Sequence, residues 1–378
     1  SSAASDVYKR QIPEVLSEYD PDTFYWPASP SSGGSFDEPN DPNRGDVHYW
    51  EVWHGNKPFS EYRKYFFRYA SEFGFQSFPS VKTLETVTDD PKELNPFSYV
   101  MEKHQRNYGG NGKIAKYMQA AYRYPENFSD FVYASQLLQA DGIRYGVEHY
   151  RRNRGRCMGA IYWQLNDCWP VISWSSIDYY GRWKALHYYA KRFFAPVMLS
   201  CEEQSWMTVE ADMNRQHFEF EKSIRLNVTN ETLDAHRVLV KWAVRKTDAT
   251  ILREEEQWLE VPALSAVWMD KVELPQIDCF NEYVSYEAWE NDQIISQGTV
   301  IFSYPKYFHY LNPGLAVRVD GDEIVVKAEA YAKSVEIRNE NDDLILEDNY
   351  FDMNAGEYRV KILDGKPDGL KVRSVYDI

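Results

Sequence analysis

The hydrophobic period changes partway along the chain, and that change limits the fold more than any single motif. Up to about residue 196, short apolar runs alternate with segments of helical spacing. From about residue 205 the pattern is period-two. SIRLNVTN, HRVLVKWAVRK, AVWMDKVELP, EYVSYEAWEN and QGTVIFSYP follow one another across turns, with no long helix between them. Strands alternating with helices imply βα units on a parallel sheet; period-two strands joined by turns imply an antiparallel sandwich. A chain of 378 residues has room for several domains of ordinary size.

In the first part, TFYWPASPSS, GDVHYWEVWHG, the end of SEYRKYFFRYASEFGFQSFPS and MGAIYWQLNDCWP are the expected strands. DPKELNPFSYVMEKHQRN, FSDFVYASQLLQADGIRYGVEHYRRNR and ALHYYAKRFFAP are the expected helices, the second capped by Ser129 and the third stopped by Pro196. Chemically rich residues follow each strand, where a (β/α)8 barrel carries its site. Only about four strands are present, half of what such a barrel needs. Asn312-Pro313-Gly314 reads as a linker to a second, smaller sandwich.

The expected architecture is therefore multidomain, α/β followed by β. Residues 12–196 form the second half of a (β/α)8 barrel, 197–311 an immunoglobulin-like antiparallel β-sandwich, and 312–378 a small second one. Residues 1–11, SSAASDVYKRQ, resemble translated adapter sequence and are set aside as a non-native leader, so the natural N-terminus is expected to be missing. They lack the apolar centre of a signal peptide. No apolar run approaches the roughly 20 residues that cross a bilayer. The expected setting is bacterial cytoplasm or periplasm rather than a membrane.

A net charge of −16 makes nucleic acid and anionic membrane surfaces poor partners and leaves a neutral ligand such as a sugar open. Aromatic residues make up 16% of the chain, including 12 Trp and 29 Tyr. Such rings pack on the flat C–H faces of sugars, and they equally fill cores and sandwich interfaces. The four cysteines are widely spread, without CxxC or zinc-finger spacing, so no disulfide framework, metal or cofactor is expected. Oligomeric state is not written in the sequence.

Three segments carry candidate chemistry. In Ser71-Glu72-Phe73-Gly74-Phe75-Gln76-Ser77, a carboxylate stands at an expected strand end among aromatics. Retaining glycoside hydrolysis needs such a nucleophile, although a lone Glu before Phe-Gly also describes an ordinary surface carboxylate. In residues 159–170, GAIYWQLNDCWP, Trp163, Asn166 and Asp167 combine a stacking face with directional hydrogen bonds. The same residues also suit a buried strand with Asn166 and Asp167 capping a turn. In GDVHYWEVWHG, His48, Trp50, Val52 and His54 share one face of the expected strand and Tyr49, Glu51 and Trp53 the other. Two histidines without a third ligand do not make a metal site.

Taken together and in this order, DPDTFYWPASPSS, GDVHYWEVWHG, SEFGFQSFPS and GAIYWQLNDCWPVISWSSIDYYGRWKALHYYAKRFFAP resemble the fifth strand, the strand before the nucleophile, the nucleophile segment and the eighth strand with its helix in β-mannosidases of glycoside hydrolase family 2. The resemblance implies an exo-acting retaining enzyme that removes terminal non-reducing β-D-mannose from mannosides or manno-oligosaccharides. Exo-β-glucosaminidase, β-galactosidase and a non-catalytic carbohydrate binder are the alternatives. It implies Glu72 as nucleophile, Trp163 lining the terminal sugar's subsite, Trp53 and His54 at the pocket rim, Asn166 and Asp167 near its floor, and Gln76 supporting Glu72 from behind.

One part of the pattern is missing. In that family the general acid/base is a Glu after Asn, at the end of the fourth strand and before the nucleophile. The chain's Asn-Glu pairs, Asn230-Glu231, Asn281-Glu282 and Asn339-Glu340, all follow Glu72. A fragment without its acid is expected to turn over ordinary mannosides very poorly, because the leaving oxygen must be protonated. Half a barrel also leaves open sheet edges and bare apolar faces. The chain is therefore expected to aggregate and to melt broadly; a monomeric peak in size-exclusion light scattering with a sharp thermal transition contradicts this.

Overall fold

The computed structural model describes residues 3–34, 36–209 and 219–378. Residues 3–19 are helical, with no buried residue. Strands β1 (Val47–His48) and β2 (Ala70–Glu72) pair in parallel, with His48 opposite Glu72. The run 158–163 lies along the other side of β2. Ala70 bridges Ala160 in parallel, the Met158 amide donates to Arg68 O at 2.8 Å, and the Trp163 amide donates to Phe73 O at 2.8 Å. Short parallel segments thus stand side by side; in sequence the helices Gly110–Ala121 and Phe128–Arg152 lie between β2 and residue 158, and Ala185–Phe193 after residue 163.

All four expected strands turn out short or reduced to bridges: β2 keeps three residues, and MGAIYWQLNDCWP pairs with it only through the bridge at Ala160. TFYWPASPSS forms no ladder, only an antiparallel bridge from Ser31 to Asp46. Pro27 and Pro30 lack the N–H groups a ladder needs. GDVHYWEVWHG leaves the sheet after His48, because the His54 amide turns back to Trp50 O at 2.7 Å. The predicted alternation of faces consequently fails beyond Tyr49, and Val52 and Trp53 are both fully buried. The long helix begins at Phe128, one residue before the expected cap. Asn127 caps it instead, its Oδ1 accepting from the Asp130 amide at 2.9 Å.

The next unit is a sandwich of β3 (Val197–Gln204), β4 (Ser223–Asn230), β5 (His236–Lys246), β6 (Ile251–Val261), β7 (Ser265–Trp268), β8 (Val272–Glu273), β9 (Glu282–Glu290) and β10 (Gln293–Ile301). One sheet runs β10-β9-β5-β6; the other runs β3-β4-β7, with β8 also on β4. Period two explains the packing: Val238, Val240, Trp242 and Val244 of β5 face Leu226 and Val228 of β4 across a shared core. Edge strand β6 exposes Glu254, Glu255 and Glu256, which discourages pairing with another chain.

The last unit holds β11 (Ala316–Asp320), β12 (Glu323–Ala328), β13 (Ala332–Arg338), β14 (Ile345–Leu346), β15 (Phe351–Met353), β16 (Gly356–Asp364) and β17 (Lys371–Arg373). Its sheets run β11-β12-β16-β14 and β15-β13-β17. Its core is continuous with that of the first region, Val326 and Val335 joining the same apolar cluster as Phe73 and Leu137. No helix among the described residues is long and apolar enough to cross a membrane.

A buried ion pair ties the first region to the sandwich. Arg63 Nη2 lies 2.8 Å from Glu203 Oε2, and Tyr145 donates to Glu203 Oε1 at 2.5 Å. Burial raises the Glu203 carboxyl, but Arg63 and Arg144 outweigh it and hold it below its usual range. Its contribution is therefore present at neutral pH and lost as pH falls through that lowered value. Glu203→Ala leaves Arg63 buried and unpaired, and is expected to cost about 3–5 kcal/mol, read as a lower urea midpoint at pH 7; an unchanged midpoint contradicts this.

Candidate active site

Glu72 ends β2. Phe73, the next residue, drops its ring into the core against Tyr62 and Tyr150, which turns the glutamate side chain the other way. Its Oε2 lies 3.2 Å from Trp50 Nε1, which donates to it, and 3.3 Å from His48 Nδ1. Among the described residues no hydrogen bond reaches Oε1. One carboxylate oxygen is anchored and the other is open.

Gly74 lets this cluster close up. A Cβ there would stand 2.4 Å from the Trp163 carbonyl and 3.0 Å from the Trp50 ring. Both tryptophans thus converge on the residues after Glu72. The Trp163 ring is 44% exposed, and the peptide bond after it is cis. An anchored carboxylate offers a charge for an electron-poor carbon, and the exposed Trp163 offers an aromatic face on the neighbouring segment that pairs with Phe73. Two cavities of ≈ 80 and ≈ 50 Å³, both lined by the long helix and the last unit, do not include Glu72.

The other expected site residues are placed differently. Trp53 is not at a rim: its indole is fully buried, edge-on to Phe75 at 5.0 Å, with Lys113 Nζ 4.9 Å above it. The turn at Trp50–His54 carries it inward. His54 is exposed, its ring 5.3 Å from Trp50, so it adjoins the cluster. His48 and His54 do not converge on a common point that a metal could occupy, since His48 faces Glu72 and Ser29. Gln76 is fully buried beneath Gly110, and its amide has no hydrogen-bond partner among the described residues, Glu72 included. Asn166 is exposed. Asp167 uses both oxygens internally, accepting from Ser173 Oγ at 2.7 Å and Ser175 Oγ at 2.5 Å. It also faces the buried Lys184, whose ammonium is pushed down to about 8 by burial, partly offset by Asp167 and Asp178. An acid so engaged anchors the loop rather than reaching for a ligand.

Ser29 and Asp46 were not among the expected residues. Asp46 accepts from Ser29 Oγ and Ser71 Oγ, each at 2.5 Å, and from Trp26 Nε1 at 2.9 Å. Burial raises its carboxyl, but these donors prevail and it lies below its usual value. The signal in the sequence was the i, i+2, i+4 spacing of Asp46, His48 and Trp50.

A glutamate carboxylate held by the half-buried Trp50 at the end of a parallel strand, in a chain that also carries sandwiches, matches the carboxylate chemistry that glycoside hydrolysis uses. Residues 222–307 match the Mannosidase Ig/CBM-like domain family and residues 310–378 an Ig-fold domain family. Beta-mannosidase B of Thermothelomyces thermophilus is 30% identical over 98% of this chain and 46% of its own length. Beta-mannosidase B of Aspergillus terreus is 28% identical over 95% of this chain and 44% of its own. The crystal structure of a β-D-mannosidase from Dictyoglomus thermophilum superposes with a TM-score of 0.81 at 27% identity, over 98% of this chain and 44% of that one. An exo-chitosanase of Amycolatopsis orientalis, 15% identical with a TM-score of 0.59 over 84% of this chain and 45% of that one, shares the fold. The chain thus resembles the β-mannosidases of glycoside hydrolase family 2 over nearly its whole length, and spans about half the length of the curated relatives it matches.

The burial of Lys184 has a measurable signature. Between about 8 and the ordinary 10.5 the unfolded chain holds a proton that folded Lys184 has released, so this group makes stability rise with pH across that window. Urea unfolding at pH 7 and pH 10 is expected to show wild type gaining on Lys184→Met by a few kcal/mol. A difference that does not change with pH contradicts the buried charge.

Proposed function

We propose that this chain carries the nucleophile side of an exo-acting, retaining β-mannosidase. Glu72 Oε1 attacks the anomeric carbon of a terminal, non-reducing β-D-mannosyl unit, and the leaving group departs as the glycosyl-enzyme bond forms. Water then hydrolyses that ester. The observation that carries the reading is the anchoring of Glu72 Oε2 by the Trp50 N–H, with His48 Nδ1 3.3 Å away and Oε1 left without a hydrogen bond among the described residues. Trp163 supplies a stacking face, and His54 lies against Trp50. The resemblance to β-mannosidases supports mannose as the sugar.

In this reading residues 12–196 are the second half of a (β/α)8 barrel, followed by sandwich domains at 197–311 and 312–378. The side-by-side parallel segments, with Glu72 at a C-terminal strand end, support the barrel. The proposed enzyme takes its general acid from outside this chain's Asn-Glu pairs. Asn230 lies in β4 with Glu231 paired to Arg154 at 3.0 Å, Glu282 begins β9, and Asn339 follows β13.

A substrate that needs no proton on its leaving group tests Glu72 directly. Incubation with 2-deoxy-2-fluoro-β-mannosyl fluoride is expected to add one fluoromannosyl group, mapped to Glu72 by peptide mass spectrometry and lost in Glu72→Gln. An ordinary alkyl mannoside is expected to show no turnover. A label on another carboxylate, or equal labelling of Glu72→Gln, overturns the assignment.

A further inference from the structure

The contacts behind His48 determine which of its nitrogens carries hydrogen. Asp46 collects donors from Ser29, Ser71, Trp26 and the Ser31 amide, the last at 2.9 Å. An ionised carboxylate accepts hydrogens and offers none. The Ser29 hydroxyl is therefore committed to Asp46, and its oxygen faces His48 Nε2 at 2.8 Å as an acceptor. Ser71 Oγ, 3.2 Å from Ser29 Oγ, spends its own hydrogen on Asp46 as well. Nε2 must then bear a hydrogen. With Nε2 protonated, a neutral ring presents only a lone pair at Nδ1, and Nδ1 is the atom 3.3 Å from Glu72 Oε2.

We propose that Asp46 and Ser29 fix the neutral His48 ring as its Nε2–H tautomer, so that it turns a lone pair rather than a donor toward Glu72 Oε2. The functional meaning rests on Glu72 being the nucleophile. The neutral ring then gives Glu72 Oε2 no hydrogen bond, and the Trp50 N–H alone orients the carboxylate. His48 acts on Glu72 directly; Asp46 and Ser29 are positioning residues that act through it. The groups recorded against His48 among the described residues are Glu72 on β2, Asp46 by way of Ser29, and Asn40 Oδ1, which accepts from the His48 backbone amide at 2.9 Å.

Long-range proton–nitrogen correlation spectra of the 15N-labelled chain read this without any substrate, with His48→Gln identifying the signals. In the neutral ring, Nε2 is expected to be protonated and Nδ1 bare. Ser29→Ala removes the acceptor at Nε2, so the hydrogen is expected to move to Nδ1, facing Glu72. Ser29→Thr keeps a hydroxyl and is expected to restore the wild-type pattern. Asp46→Asn, which frees the Ser29 hydrogen, gives a second reading, with a mixture of tautomers expected. A wild-type ring protonated at Nδ1, or a tautomer unchanged by both Ser29→Ala and Asp46→Asn, overturns the proposal. The two readings fail separately: a fixed Nε2 tautomer with no fluorosugar label on Glu72 sinks only the glycosidase reading, and labelling without the tautomer change sinks only this one.

Discussion

The burial of the helix Phe128–Arg152 is the constraint on which the rest depends. Twenty of its 25 residues are buried, polar ones included. A helix enclosed on nearly every side must satisfy its polar side chains from its neighbours, and the neighbours here are the segments that hold the site. Gln139 donates to Phe75 O at 2.9 Å and Ser175 O at 3.1 Å, and accepts from Ser77 Oγ at 2.6 Å. Ser135 Oγ accepts from the Phe78 amide at 3.1 Å. The stretch leaving Glu72 is thus held by side-chain amides and hydroxyls rather than by a long ladder, which compensates for strands only two or three residues long. Through Tyr145 and Glu203 the same helix grips the first sandwich. Through Tyr133, whose hydroxyl donates to Ser334 O at 2.6 Å, it grips the last unit.

Buried charge follows from that arrangement. Arg152 is fully enclosed, and burial with the nearby Arg63 holds its guanidinium below its usual value. Its counter-charges are not close: Glu148 at 3.6 Å and Glu202 at 3.8 Å. Such a group lowers stability unless its surroundings compensate. The compensation lies in pairs such as Arg63–Glu203, where geometry is tight. Charges at this joint therefore enforce one alignment of helix and sandwich more than they add net stability.

What the sequence revealed depended on how local the signal was. The sandwich strands were legible because each alternates inward and outward residues within itself, as in Val238, Val240 and Trp242. AVWMDKVELP was the partial exception, divided into β7 and β8 around Met269-Asp270-Lys271. The shorter strands of the first region were less legible, because Pro27, Pro30 and the turn at Trp50 end pairing that hydrophobicity alone suggested. Glu72 stood out through its flanking aromatics. Ser29 and Asp46 did not, because their meeting spans 17 positions of loop and depends on where that loop folds back. Trp53 was misplaced for a similar reason: a two-residue periodicity was carried into a turn, where it no longer tells inside from outside.

The reach of the long helix also sets a clock. Tyr133 and its acceptor Ser334 are 201 residues apart in the chain. A ribosome adding about 5–20 residues per second takes roughly 10–40 s to supply the partner after the tyrosine has been made. During that interval the helix face that ends up beneath the last unit has nothing to cover it. Apolar surface left bare for that long is what makes a partly folded chain prone to aggregation.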